Sequence, residues 1–170
     1  MKKIIIIIFS IAVLIFIDII TKFFIQDYYL SDQWYLWEMP CLDYNITDCK
    51  FHFIPIISDL LGIQLSYNSW VAFSLPIHWL LLQILTLFLI WGIIYHYIRA
   101  EYRKNSTFID IAYTLILAWA LSHAYERIFV GHVVDFIAVK YFAILNIADI
   151  FISVGAFFLI LAYVRSRKSE

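Results

Sequence analysis

HVVDFIAVKYFAILNIADI, running from His132 to Ile150, places two aspartates, Asp135 and Asp149, in almost unbroken apolar sequence. An ionisable side chain inside a membrane span costs about 2.5–3.5 kcal/mol on insertion scales and is a functional candidate by default. Whether these carboxyls lie in a soluble core or at a membrane boundary decides the fold. The rest of the chain answers that question.

Of the 170 residues, 64% are hydrophobic, 19% aromatic and only 15% charged, and the mean hydropathy is +0.86. A soluble domain is about half apolar and a quarter charged, so this composition belongs in a bilayer. The net charge of −1 gives no electrostatic footprint for a nucleic-acid partner. No Gly/Ser- or Pro-rich linker divides residues 1–170, which read as one membrane domain. A span needs roughly 20 apolar residues of helix. Four are expected, at about residues 4–25, 75–98, 108–126 and 144–164, leaving residues 26–74 as a long outer segment. The basic start and apolar run of residues 1–22 lack a small-residue cleavage site, so they read as a retained anchor rather than a removed signal.

Lys2 and Lys3, then Arg99, Arg103 and Lys104, then Arg165, Arg167 and Lys168 all fall on one side of these spans. Only Lys22, Lys50, Arg127 and Lys140 fall on the other. The positive-inside rule then puts both termini in the cytoplasm. Asp18, Asp135 and Asp149 map near the outer ends of their segments, at one common depth. Bundled helices would bring them together at the outer membrane–water boundary. Two carboxyls in one such site share a proton. One can then activate water while the other acts on a scissile carbonyl. The bland alternative for each is a helix cap or an ion pair, and Asp18 with Lys22 has the i,i+4 spacing of a pair.

The outer segment is acidic, with Asp27, Asp32, Glu38, Asp43, Asp48 and Asp59 against Lys50, and reads as a solvated loop rich in interfacial aromatics. Cys41 and Cys49 could close a short disulfide there on an oxidising face. His123, Glu126, His132 and Asp135 offer i,i+3 pairs of possible ligands, but no His-Glu-x-x-His accompanies them. No metal and no other cofactor is expected.

The motifs together resemble those of the bacterial lipoprotein signal peptidases, the type II enzymes. Asp18-Ile-Ile-Thr21-Lys22 is similar to that family's Asp-x-x-Thr-Lys. YNSWVAFSL is similar to its Asn-x-Gly-x-Ala-Phe-Ser through Asn68, Ala72, Phe73 and Ser74. ERIFVGHVVDFI and LNIADI resemble its two aspartate motifs. The resemblance covers nearly the whole chain, in order. It implies an all-α integral membrane fold, with four transmembrane helices and a small β-rich extracytoplasmic cradle supplied by residues 28–67. It also implies an apparent insertion at about residues 28–50. It assigns Asp135 and Asp149 as the catalytic pair of an aspartic endopeptidase that cleaves prolipoproteins before a diacylglyceryl-modified Cys. Asn68, His123, Arg127 and Asn146 would line the site, and Asp18, Lys22 and Glu126 would support it. The expected setting is the bacterial cytoplasmic (inner) membrane, as a multi-pass monomer with the prolipoprotein and membrane lipids as partners.

Four positions depart from the family's pattern. Trp70 stands where it has Gly, and Ser122, His123 and Glu126 stand in place of its Gly, Asn and Asp. A neutral imidazole offers one donor and one acceptor, as an amide does. His123 is therefore expected in the Asn's substrate-orienting place, with an added pH step of its own. The departures also motivate two alternatives: a catalytically altered relative that binds lipopeptides or a partner, and a small transporter or proton-relay protein.

Overall fold

The computed structural model describes residues 2–31, 51–68, 79–104 and 106–167. Cys41, Cys49, most of the 28–50 insertion, Trp70 and residues 72–74 of the second motif lie outside them. In chain order come α1 (Lys2–Ser31), β1 (Ile54–Ile57), β2 (Leu61–Asn68), α2 (Trp79–His96), α3 (Thr107–Tyr125), β3 (Val133–Val139), β4 (Ala143–Leu145) and α4 (Ile147–Arg167). α2 runs on through a π-helical turn, Tyr97–Glu101, and α3 through another, Glu126–Val130. Among the described residues, four helices are long and apolar enough to cross a membrane.

α3 is the centre of the bundle. Over half of its most apolar stretch is buried, against a small fraction of each of the others. α1, α2 and α4 all pack against it. The outward faces of α1 and α2 are continuous isoleucine, leucine and phenylalanine, including Ile5, Phe9, Phe16, Leu81 and Phe88. That is the surface lipid tails require, because they solvate apolar side chains as well as a protein core does. At the α3–α4 crossing Gly155 faces Ala112, and a Cβ on Gly155 would lie 2.9 Å from Ile116 Cγ1 and 3.0 Å from the Ala112 carbonyl oxygen. The close approach of the two backbones needs that glycine.

The β-rich part is a four-stranded antiparallel sheet in the order β1-β2-β3-β4. Tyr29, Phe51, Leu65 and Val134 form the core between it and the C-terminal end of α1. The Tyr29 hydroxyl lies 3.0 and 2.9 Å from the carbonyls of His52 and Ile63, tying helix to sheet.

Three expectations need correction. Residues 28–67 supply only half the sheet, since β3 and β4 come from residues 133–145. The first helix continues to Ser31 rather than ending near residue 25, because Tyr29 is held by the sheet. The last helix starts at Ile147, not 144, since residues 143–145 pair with β3.

Candidate active site

β2 and β3 pair with Ser66 opposite Asp135 and Asn68 opposite Val133. This register brings the second motif, 67 residues earlier in the chain, onto the first aspartate: Asn68 Nδ2 donates to Asp135 Oδ2 at 3.2 Å. The β3–β4 hairpin then turns the chain back, so that α4 begins beside Asp135. Asn146 is the residue before that helix. Its side-chain oxygen accepts the Asp149 N–H at 3.1 Å, and its own N–H donates to Asp149 Oδ2 at 3.1 Å. This reciprocal pairing satisfies two of the orphan donors at a helix start. The same Asn146 donates its Nδ2 to Asp135 Oδ1 at 2.6 Å. One fully buried asparagine therefore contacts both aspartates.

The two carboxyls differ in surroundings. Asp135 is 5% exposed, and the Asp149 side chain 25%. Burial pushes the Asp135 carboxyl up to about 6, against the pull of the Asn146 and Asn68 amides and with help from the nearby charge of Asp149. Asp149 Oδ1 accepts from the Trp119 indole N–H at 3.2 Å and lies 3.5 Å from His123 Nε2. Arg127, half-buried on the π-helical turn after α3, is close enough for its charge to act on both aspartates. Its carbonyl accepts from Gln83 of α2 at 3.2 Å.

A second buried polar cluster lies behind this one. Lys22 Nζ donates to Asp18 Oδ2 and to Glu126 Oε2, each at 2.6 Å. Asp18 also accepts from Ser122 Oγ at 2.5 Å and, through Oδ1, from the Ala148 N–H at 3.0 Å. Glu126 Oε1 accepts the Val134 N–H at 3.2 Å, one residue before Asp135. The expected Asp18–Lys22 pair is present, but it is part of a larger group that pins α1, α3, β3 and the start of α4 together. Asp18 sits where a carboxylate complements the positive end of α4.

The sequence-predicted residues thus fall into two neighbouring groups. Asn68, His123, Arg127, Asn146, Asp135 and Asp149 gather at one site, and Asp18, Lys22 and Glu126 stand behind it. The structure adds two contributors. Ser122 carries no signal in the sequence beyond its departure from the family's pattern. Trp119, one helical turn before His123, reads in sequence as one more membrane aromatic, and its spacing to His123 is the only pointer to it. His132 does not join the site. It packs its ring 4.7 Å from that of Tyr67.

The profile of the family described as Signal peptidase (SPase) II matches residues 10–165. The lipoprotein signal peptidase of Pseudomonas aeruginosa (strain UCBPP-PA14) is 37% identical over 131 residues, covering 68% of this chain and 73% of that protein. That of Clostridium novyi (strain NT) is 35% identical over 123 residues, 69% of this chain and 82% of the relative. A solved structure of a bacterial membrane enzyme shares the fold, with a TM-score of 0.71 at 23% identity over 96% of this chain and 90% of that one. Three helices around a buried α3, an antiparallel sheet at one end and a match over most of the length agree: the chain belongs to the signal peptidase II family.

Proposed function

We propose that this chain removes signal peptides from prolipoproteins with Asp135 and Asp149 as its catalytic dyad. By family it is an aspartic-type lipoprotein signal peptidase, a multi-pass protein of a bacterial membrane. The observation that carries the dyad is Asn146, which contacts both carboxyls and fixes them at the junction of sheet and helix.

In the reaction one carboxylate takes a proton from a water molecule, which attacks the carbonyl carbon before the modified Cys. The other carboxyl delivers a proton as the peptide bond breaks. The dyad lies at the sheet end of the bundle, where aqueous and lipid regions meet if both termini are cytoplasmic. A substrate whose diacylglyceryl group stays in the bilayer would present its scissile bond at that level. Asn68 and Arg127 line the same site and are suited to holding peptide carbonyls.

The departures at Ser122 and Glu126 favour this reading over an inert relative, because both side chains are used in the support behind the dyad. Asp135→Asn and Asp149→Asn should each abolish the gel shift of a lipid-modified prolipoprotein while the protein remains inserted and folded. Near-normal turnover in either variant would overturn the dyad.

A further inference from the structure

Each aspartate accepts N–H donors on both oxygens, and what distinguishes them is the histidine beside Asp149. Asp135 faces donors on both oxygens, the amides of Asn146 and Asn68. Asp149 faces a different neighbour. His123 Nδ1 lies 3.1 Å from the Trp119 carbonyl oxygen. A carbonyl can only accept, so Nδ1 must carry a proton. In the neutral ring the bare nitrogen is then Nε2, the atom 3.5 Å from Asp149 Oδ1. A lone pair facing a carboxylate is repulsive, and a proton on Asp149 turns the contact into a donation.

We propose that neutral His123 accepts a hydrogen bond from a protonated Asp149, so that the dyad's single proton resides on Asp149 and Asp135 is the base. This rests on the dyad reading above and assigns the roles within it. His123 is a positioning residue. It acts through Asp149 and touches no reacting atom. The separation is long for an O–H···N bond, but catalytic hydrogen bonds commonly shorten in the Michaelis complex. Both groups being neutral also suits their surroundings, since His123 is 8% exposed and an ion pair there would bear two desolvation costs.

The charged groups around the pair are Lys22 from α1, Arg127 from the turn after α3 and Asp135 from β3. The Trp119 indole N–H still reaches Asp149 Oδ1, and the Asn146 N–H occupies Oδ2. In the proposed cycle Asp135 takes a proton from water. The hydroxide forms a bond to the scissile carbonyl carbon, and Asp149 gives its proton to the departing amine nitrogen. The proton on Asp135 passes back to restore the starting state.

The test compares wild type, His123→Ala and His123→Asn in detergent micelles, on one fluorogenic peptide carrying a diacylglyceryl-Cys, across a full pH–rate profile. An acceptor that holds the proton on Asp149 extends activity to higher pH. His123→Ala should lower kcat about tenfold with KM little changed, and should move the alkaline limb to lower pH. His123→Asn should restore both, because its amide oxygen can accept the same proton. Alkaline limbs that coincide in wild type and His123→Ala would overturn the proposal, as would His123→Asn behaving like His123→Ala. Asp135→Asn and Asp149→Asn run alongside. Activity in those variants would reject the dyad itself, whereas failure of the His123 comparison with both variants inactive rejects only the role given to His123.

Discussion

Asn146 and Asp149 hold each other reciprocally, each accepting the other's backbone N–H at 3.1 Å through its own side chain. The pairing starts α4 and sets the direction of the Asp149 carboxyl in one step. Because Asn146 also donates to Asp135, helix capping and the relative placement of the two carboxyls depend on the same side chain.

Asn146→Ala should therefore separate two effects. Loss of the cap costs about 1 kcal/mol of stability. Loss of the bridge leaves both carboxyls free to shift, and displacement of about 1 Å typically costs on the order of a hundredfold in rate. A thermal scan paired with kcat on the lipidated peptide should show a small drop in Tm and a large drop in turnover. Equal turnover in variant and wild type would mean the bridge does not orient the dyad.

Asp135 carries a second, opposite signature. Burial raises its carboxyl from 3.8 to about 6, so the folded protein binds this proton more tightly than the unfolded chain. Its favourable contribution is complete below about pH 3.8 and is lost as pH rises through about 6. Asp135→Asn should then be stabilised relative to wild type at pH 8, by about 2–3 kcal/mol at most, with the gap closing towards about pH 4. Activity moves the other way. In the proposed mechanism Asp135 is the base and must be ionised, so wild-type turnover should fall as pH drops through about 6. Thermal scans and pH–rate profiles from about pH 4 to about pH 8 check both; a Tm gap independent of pH would contradict the assignment.

The Lys22 cluster makes a strong stability prediction. Lys22→Met leaves Asp18 and Glu126 buried without their shared cation, at a cost of about 3–5 kcal/mol. Combining Lys22→Met with Asp18→Asn and Glu126→Gln removes the stranded charges and should recover much of the loss. Unfolding in detergent, with the triple variant less stable than the single one, would refute this account.

The α3–α4 crossing can be tested with two glycines. At Gly155 a Cβ meets the Ala112 carbonyl at 3.0 Å, and backbone cannot easily yield. Gly155→Ala should cost about 1–3 kcal/mol. A Cβ added at Gly92 would meet nothing within 4 Å, so Gly92→Ala should be neutral or slightly stabilising. A comparable gain of Tm in both variants would show that helix propensity, not the crossing, controls the response.

Sequence and structure diverge most at His132 to Leu145. The four spans are legible because hydropathy over about 20 residues is a strong signal, and Asp18 with Lys22 because their spacing is local. VVDFIAV does not declare itself a strand. A short apolar run has no periodicity that separates strand from helix, and its strand character comes from pairing with β2, far back in the chain. Glu126 stands out in sequence only as a departure from the family's pattern. Its double contact to Lys22 and the Val134 N–H depends on the π-helical turn, which leaves no local signature. Trp119 is hidden for a related reason: in so aromatic a chain, one indole aimed inward looks like the many aimed outward.

The Asp18–Ala148 contact spans 130 positions, and this has a consequence for biosynthesis. The ribosome delivers α1 long before the helix whose start Asp18 caps. Throughout that interval the first span must reside in lipid with a carboxylate and an ammonium in its C-terminal half. Lys22 lies one turn away and reaches Asp18 at 2.6 Å, so the nascent helix carries its own counterion into the bilayer. Glu126, Ser122 and the α4 amide can join this pair only as later segments emerge. The peptidase is thus completed by its last span, and a chain halted before α4 would be inserted but could hold no second aspartate beside Asp135.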